Sequence, residues 1–221
     1  MNKKWIVLST VIAVVLAFAV GVMVFKNRSG QELARSAQHH GEALVRAHSP
    51  IYGNPAAKVT IVEFFDPSCE TCRAFYPIVK NIVDASFGQV RLVVRYAPLH
   101  QGSDTAVKIL EAARLQGKYW EAVERALASQ HLWAPHDNPR PELIWGMLED
   151  LSLDMTKAKT DTDSAAISEL LRQDVADMQQ LKVDRTPGFF VNGSPLIEFG
   201  ATQLKSLVQQ ELGKVGEAGR P

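Results

Sequence analysis

A run of β-branched and aromatic residues, KVTIVEFFD at 58–66, lies just before the only two cysteines of the chain. Turn residues bound the run, so it predicts a strand that is buried on both faces, as parallel or central strands are. From Cys72 to about Phe87, apolar residues recur at three- and four-residue spacing, which predicts a helix beginning at the cysteine pair. VRLVVRY, at 90–96, predicts a second strand. Together they predict a βαβ unit with both cysteines at the junction of strand and helix.

The hydrophobic pattern changes from strand-like to helical after the second predicted strand. Residues from about 100 to 182 show helical periodicity and no strand signal. Strand signals return in GFFVNGSPLI at 188–197, where Asn-Gly predicts a hairpin turn. Thr202 is then expected to cap a last helix at 203–212, and residues 213–221 are expected to form a flexible tail.

The N-terminus predicts a membrane anchor. From Trp5 to Phe25 the chain carries no charge, and at roughly 1.5 Å per residue such a helix spans about 31 Å, which matches a hydrocarbon core of about 30 Å. Ala17-Phe18-Ala19 resembles a signal-peptide cleavage site, so a cleaved leader is the alternative. Cleavage there would leave the apolar residues 20–25 in water, which favours an uncleaved anchor over 1–25.

Both interpretations export the rest of the chain. A signal-like N-terminus with a short leading tail favours a single-pass protein of the inner membrane, with its folded domain on the periplasmic or extracytoplasmic side, where disulfides persist. Residues 26–55 are polar and carry glycine and proline turn signals, which predicts a tether. Lys plus Arg and Asp plus Glu number 24 each, so net charge does not indicate a nucleic-acid partner.

The spacing of Cys69 and Cys72 fits a structural disulfide, a metal site or a redox pair. A structural disulfide would close a loop of four residues and contribute roughly 2 kcal/mol, against about 3 kcal/mol for a 15-residue loop. A structural zinc site would need two more ligands, and His131 and His136 lie far beyond the usual finger spacing. A Cu(I) site using only the two thiolates stays open.

The redox interpretation uses the predicted local structure. A helix N-terminus stabilises a thiolate, so Cys69 is expected to attack and Cys72, one turn further, to resolve the mixed disulfide. Glu63 interrupts the apolar strand; if buried, its pKa would be raised and it could exchange protons with Cys72. A carboxylate at the solvent edge is the alternative. From its local sequence, Pro187 is interpreted as a proline at the start of an edge strand.

At this point the chain resembles the DsbA-like thiol:disulfide oxidoreductases of the thioredoxin superfamily. The resemblance covers about 50–212 and rests on VTIVEFFDPSCETC, on RTPGFFVNG and on the long helical insertion between them. It implies an α/β thioredoxin fold over 56–212, with a helical domain inserted between the βαβ unit and the C-terminal hairpin and helix. It also implies a role for Glu63, and a cis Thr186-Pro187 loop that packs against the cysteines and contacts substrate.

The residues between the cysteines depart from the family's strong oxidants. Those proteins carry a histidine that hydrogen-bonds the thiolate, whereas this chain has Glu70 and Thr71. Glu70 suits the helix dipole but repels an adjacent thiolate, so we expect the pKa of Cys69 to lie above about 4 and the pair to be a weaker oxidant.

The predicted function is disulfide exchange on exported proteins, with the Cys69–Cys72 pair as redox centre, no other cofactor, no metal and a membrane redox partner. A Cu(I)-binding or copper-tolerance protein is the alternative from another class, and a peptide-binding module with vestigial cysteines is a third. His100 follows the second strand and is interpreted as a loop or cap histidine rather than an active-site residue.

Overall fold

A five-stranded mixed sheet forms the centre of the protein in the computed structural model, which describes residues 3–218. The spatial order is β1-β3-β2-β4-β5. Strands β2 and β3 are parallel, and the other three pairings are antiparallel. The strands are β1 (Ile51–Gly53), β2 (Val59–Phe65), β3 (Val90–Tyr96), β4 (Gly188–Val191) and β5 (Ser194–Pro195).

The predicted βαβ unit is confirmed. Helix α2 (Glu70–Asp84) joins β2 to its parallel neighbour β3, and all residues of β2 except Thr60 are buried. One face of α2 is buried through four residues at helical spacing, Cys72, Phe75, Val79 and Val83. The apolar pattern of this segment therefore places the second cysteine on the face that packs against the sheet.

Six helices separate β3 from β4, as the sequence predicts, and a seventh follows the hairpin. They are α3 (Ser103–Arg114), α4 (Tyr119–Ala128), α5 (Gln130–Trp133), α6 (Ile144–Met147), α7 (Met155–Asp161), α8 (Ala165–Gln180) and α9 (Ala201–Ala218). The hairpin turns at Asn192 and Gly193, whose φ angles of 46° and 85° fit the turn predicted from Asn-Gly. The expected thioredoxin fold with a helical insertion is confirmed.

Side chains of β2 alternate between two hydrophobic layers. Ile61 and Phe65 pack in the core that contains α2 and much of the insertion. Val62 and Phe64 pack in a second core, together with residues of α8. Because side chains alternate along a strand, Glu63 points into the same layer as Ile61 and Phe65, which is the layer that holds the cysteines.

The predicted tether at 26–55 is wrong. Helix α1 (Lys3–His39) continues through residues 26–39 of this segment. Strand β1, near the end of the segment, pairs with β3 at the edge of the sheet. The helix continues because residues 26–39 contain no proline and mostly favour helix, so the lone Gly30 does not end it. Strand β1 is too short to show a period of two, so the hydrophobic pattern of the sequence does not predict it.

Helix α1 also contains the predicted anchor. From Thr10 to His39 it has an apolar window of mean hydropathy 2.1 that is not buried against the rest of the protein. Its length and composition suffice to cross a membrane, and a signal sequence meets the same criterion. Residues 1 and 2 of the predicted anchor lie outside the described residues.

The C-terminal helix is longer than predicted. Thr202 lies inside α9 rather than capping it, and the helix continues to Ala218. Val215 packs against the core, and Lys214 lies 2.6 Å from Glu211 one turn back, so both stabilise the extension. The tail predicted at 213–221 is therefore wrong as far as residue 218, and 219–221 lie outside the described residues.

A buried ionic cluster joins the segment after α1 to the folded domain. The guanidinium of Arg95 on β3 is fully buried and donates hydrogen bonds to Asp174 and Asp177 of α8, with the shortest at 2.6 Å. Arg46 binds Asp177 through two hydrogen bonds of 2.7 and 2.8 Å. His48 Nε2 lies 2.6 Å from Asp174. Two aspartates of α8 thus hold three basic side chains from two separate parts of the chain.

This cluster sets the charge state of Asp177. Burial alone would raise its pKa, but hydrogen bonds from Arg46 and Arg95 outweigh burial and lower the pKa of Asp177 to about 2. Because the folded-state pKa lies below the ordinary value of 3.8, the aspartate stabilises the fold above that pH. This contribution is lost as the pH falls towards 2.

Arg95→Met tests the cluster. The substitution leaves two buried carboxylates without their shared cation, and breaking a buried ion pair in this way costs about 3–5 kcal/mol. Urea denaturation of the full chain measures the change in the free energy of unfolding. Arg172→Met is the matched control, because Arg172 and its partner Glu169 are both exposed; it should leave the midpoint unchanged. Equal midpoints for the two variants would contradict the structural role of Arg95.

Candidate active site

The two cysteines lie where β2 gives way to α2. Cys69 has extended backbone angles (φ −75°, ψ 120°) and occupies the N-cap position, and α2 begins at the next residue. Cys72 is one turn further along and fully buried, whereas Cys69 keeps 6% of its surface exposed. Both are free thiols in this structure. Cys69 is therefore the one of the pair that solvent and a partner can reach.

The environment of Cys69 stabilises its thiolate. The hydrogen bond with the Cys72 side chain is the largest cause, and the Thr186 side chain and the backbone N–H groups of Thr71 and Cys72 act in the same direction. Together they outweigh burial and lower the pKa of Cys69 to about 5. Unpaired N–H groups at a helix N-terminus carry partial positive charge, which explains the backbone contribution. The value lies above the limit of about 4 expected from sequence.

The pKa of Cys72 is shifted in the opposite direction. Burial is the largest cause that raises its pKa well above the ordinary range, and the negative charges of Cys69 and Glu63 add to it. The backbone N–H of Asp66, 3.5 Å from the Cys72 sulfur, opposes this only in part. At neutral pH the reduced site therefore holds a thiolate at Cys69 and a thiol at Cys72.

Glu63 is buried, not at the solvent edge. Its side chain is 2% exposed, and Oε1 has no hydrogen-bond partner. Burial, followed by the negative charge of Cys69, raises the pKa of Glu63 to about 8. A carboxyl with a pKa near neutrality, in the same layer as a thiol that must lose a proton, has the properties of a general acid or base.

The loop before β4 lies directly against Cys69. The Thr186-Pro187 peptide bond is cis, as the resemblance implies. The Cys69 sulfur lies 3.3 Å from the carbonyl oxygen of Thr186. Pro187 is buried and Thr186 is partly exposed, so the loop forms one wall beside the reactive sulfur.

Glu70 and Thr71 face solvent between the cysteines. The Glu70 carboxylate is 65% exposed and lies 3.6 Å from the imidazole of His136, so water and a neighbouring ring screen its effect on Cys69. Thr71 acts through its backbone N–H, which helps to lower the pKa of Cys69. His136 thus reaches the rim of the site, although not as a metal ligand.

Sequence reasoning missed a polar cluster beneath the site. Asp66 is fully buried and accepts hydrogen bonds from the backbone N–H groups of Ser68, Leu99 and His100, the hydroxyl of Ser103 and the imidazole Nδ1 of His100. Asp66 therefore connects the loop that carries Cys69 to the loop that follows β3. His100 lies in the loop after β3, as interpreted from the sequence, and its partner Asp66 is three residues from Cys69, so the ring is closer to the site than expected.

Gln130 is a second missed residue, and it comes from the helical insertion. Its Nε2 donates to the carbonyl oxygens of Pro67, at 2.8 Å, and Cys69, at 3.1 Å. The side chain is 2% exposed and Oε1 has no partner. Its position within α5 gives no local signal of this contact, which joins residues more than 60 positions apart in the sequence. The insertion thus supports the backbone on which Cys69 stands.

The described residues contain no group of three or more His, Cys, Asp or Glu side chains that could hold a metal ion. His131 and His136 therefore do not complete such a group with the cysteines. A Cu(I) site would have to use the pair alone.

Fold and site together define a thioredoxin-fold protein with a buried dithiol at a helix N-terminus. A family model described as thioredoxin matches residues 46–210. The match covers more than half of the chain, and the chain belongs to this family.

Known proteins agree with the DsbA-like resemblance. A curated relative, disulfide bond formation protein D of Bacillus subtilis, is 27% identical over 180 residues, which cover 74% of this chain and 77% of that protein. A thioredoxin-like oxidoreductase from Silicibacter pomeroyi has a solved structure that is 30% identical, with a TM-score of 0.68. The likeness covers 78% of this chain and 97% of that one. The predicted resemblance is confirmed.

Another relative is much longer than this chain. The Na⁺/H⁺ antiporter NhaA of Herminiimonas arsenicoxydans is 30% identical over 189 residues, which are 84% of this chain but 29% of the antiporter. The chain thus spans under a third of the length of this curated relative. The similarity is to a part of the antiporter.

Glu63→Gln tests the charge state of the buried carboxyl. Because the pKa of Glu63 rises from 4.5 to about 8 on folding, the folded state holds its proton more tightly than the unfolded chain does. The contribution of Glu63 to the stability of the reduced protein should be greatest below about pH 4.5 and be lost as the pH rises to about 8. In Glu63→Gln this part of the loss should disappear, as urea midpoints at several pH values would reveal.

Glu142→Gln is the control, because that side chain is exposed. It should keep the pH dependence of the unmodified protein. If Glu63→Gln also kept it, the carboxyl would not be the group that titrates.

Proposed function

We propose that this protein is a thiol:disulfide oxidoreductase in which Cys69 attacks and Cys72 resolves. The observation that carries the proposal is the pairing of an acidic thiol at the start of α2, which keeps 6% of its surface exposed, with a fully buried, weakly acidic thiol one turn away. Such an asymmetric pair favours attack by one sulfur and release by the other.

In the reductive direction the Cys69 thiolate attacks one sulfur of a substrate disulfide. A mixed disulfide forms, and the second substrate sulfur leaves as a thiolate. Cys72 then loses its proton and attacks the Cys69 sulfur, which forms the Cys69–Cys72 disulfide and releases the reduced substrate. Two electrons pass from the pair to the substrate, and the oxidative direction reverses every step.

Glu63 is proposed to accept and return the Cys72 proton. Both groups are buried in the layer between β2 and α2, and each ionises more readily when the other stays neutral. A carboxylate with a pKa near 8 can take a proton from a weakly acidic thiol and give it back in the reverse step.

Thr186 and Pro187 are proposed to hold the substrate chain. The Thr186 carbonyl oxygen lies 3.3 Å from the Cys69 sulfur, so a polypeptide whose sulfur bonds to Cys69 must pass along this loop. Backbone groups there suit an extended segment of many sequences. The proposed substrates are therefore proteins with thiols or disulfides rather than one small molecule.

The proposed setting is the periplasmic or extracytoplasmic face of the inner membrane, with α1 as a single-pass anchor and exported proteins as substrates. The exposed apolar window of α1 supports the anchor. A membrane redox protein is the proposed partner that resets the pair, because a dithiol used in one direction must be returned to its starting state after each turnover.

Trapping of mixed disulfides tests the roles of the two cysteines. In Cys72→Ser the attack by Cys69 still occurs, but resolution is lost, so covalent complexes with disulfide-containing proteins should accumulate on non-reducing gels. In Cys69→Ser they should be absent, because the remaining thiol is buried and weakly acidic. Equal trapping by both variants would contradict the assignment of roles.

A glutathione redox titration with metal analysis separates the two candidate classes of function. Reversible thiol exchange with a defined midpoint supports the oxidoreductase and gives the preferred direction, since about 30 mV corresponds to roughly 1.4 kcal/mol. Stoichiometric copper on the reduced protein, without thiol exchange, would instead support Cu(I) binding by the same two thiolates. An intact protein with neither property would support the peptide-binding module.

Glu70 and Thr71 are proposed to set how oxidising the pair is. Glu70→Gln removes a negative charge beside Cys69, so the pKa of Cys69 should fall and the reduction potential should rise. Thiolate absorbance near 240 nm against pH measures the first change, and the glutathione titration measures the second. Glu169→Gln, an exposed carboxylate on α8, is the control and should change neither. A Glu70→Gln protein identical to the control would remove Glu70 from this role.

A further inference from the structure

His100 and Asp66 form an ion pair beside the dithiol. The imidazole Nδ1 of His100 lies 2.7 Å from Asp66 Oδ2, and because a carboxylate only accepts, Nδ1 is the donor. The Asp66 carboxylate is fully buried, whereas the His100 side chain is 36% exposed. The pair thus has a fixed acidic end in the core and a basic end at the surface.

The imidazole is not required to hold the loop after β3. The backbone N–H groups of Leu99 and His100 already donate to Asp66 Oδ2, at 2.8 and 3.0 Å. The hydroxyl of Ser103 donates to the other carboxylate oxygen. These three contacts hold the loop independently of the imidazole ring.

The ring is close to the reactive end of α2. His100 and Ser68, the residue before Cys69, line the same small cavity of about 50 Å³ together with His136. The His100 and His136 ring centroids are 6.2 Å apart, and His136 in turn lies beside Glu70. His100 therefore borders a cavity beside the residue that precedes Cys69.

Four groups face the His100 ring, and three of them carry negative charge when ionised. Asp66 comes from the end of β2, Cys69 and Glu70 from the start of α2, and His136 from the loop after α5. Burial alone would lower the pKa of His100, but Asp66, followed by Cys69 and Glu70, outweighs it and raises the pKa. The interaction with Cys69 is reciprocal, so a protonated ring favours the thiolate.

We propose that His100, held by Asp66, is a positioning residue that places a positive charge beside the Cys69 thiolate and gains proton occupancy when the disulfide is reduced. A substrate dithiol gives two electrons to the Cys69–Cys72 bond and becomes a disulfide. One of its two protons goes to Cys72 and the other to solvent, which leaves a thiolate at Cys69 and a thiol at Cys72. The new negative charge draws a proton from solvent onto His100. This inference rests on the proposed role of Cys69.

Thiolate titration tests the effect of the ring on Cys69. Because Cys72 titrates far above the ordinary range, absorbance near 240 nm between pH 3 and 8 reports Cys69 alone. His100→Asn keeps an N–H donor for Asp66 but carries no charge, and it should make Cys69 about threefold to tenfold less acidic. His136→Asn is the matched control on the same rim, and its effect should be smaller. Equal effects in the two variants would overturn the proposal.

NMR titration of the unmodified protein provides a readout that does not depend on a variant folding. The His100 imidazole should titrate at a higher pH in the reduced protein than in the oxidised protein. In Cys69→Ser, which carries no thiolate at this position, it should titrate at the same pH as in the oxidised protein. His100→Asn identifies the signal among the six histidines. The same midpoint in both redox states would overturn the proposal, because a ring with only a structural role does not sense the thiolate.

Different results would contradict the attacking thiolate at Cys69 and the role of His100. If Cys69 of the unmodified protein ionises only in the ordinary thiol range, the proposed attacking thiolate is wrong. If Cys69 is acidic in the unmodified protein and equally acidic in His100→Asn, only the role of His100 is wrong.

Discussion

The stabilisation of one negative charge at the start of α2 is the interaction on which the rest of the site depends. The hydrogen bond with Cys72 is the largest cause that favours a thiolate at Cys69, and backbone N–H groups at this helix end add to it. Burial raises the pKa of Cys72 and of Glu63, and the charge at Cys69 raises both further. Two chemically identical thiols thus become a nucleophile and a proton-bearing partner.

The local parts of the fold and site were predictable from sequence. Strand β2, helix α2 and strand β3 each have a clear period, and Asn192-Gly193 marks the hairpin. The position of Glu63 in an apolar strand also indicated its burial. Periodicity is informative here because each element packs one or both faces against a core, and the apolar spacing records which faces those are.

The parts that were not predictable depend on long-range contacts. Asp66 meets His100 across 34 positions, and Gln130 reaches Cys69 across 61. Nothing in the local sequence of these residues differs from an ordinary loop or helix. Strand β1 and the C-terminal extension of α9 were missed for the same reason, because partners elsewhere in the chain stabilise them. The cis form of Pro187 was expected only from the resemblance.

The buried ionic cluster has a consequence for how the active site meets its partners. Arg46 and His48 join α8, and residues 51–53 join the sheet, so the stretch after α1 is part of the folded domain. A flexible linker would let the dithiol search a wide volume around its attachment point. Residues 46–53 do not act as such a linker, because their contacts with α8 and the sheet hold them at a fixed position relative to the dithiol.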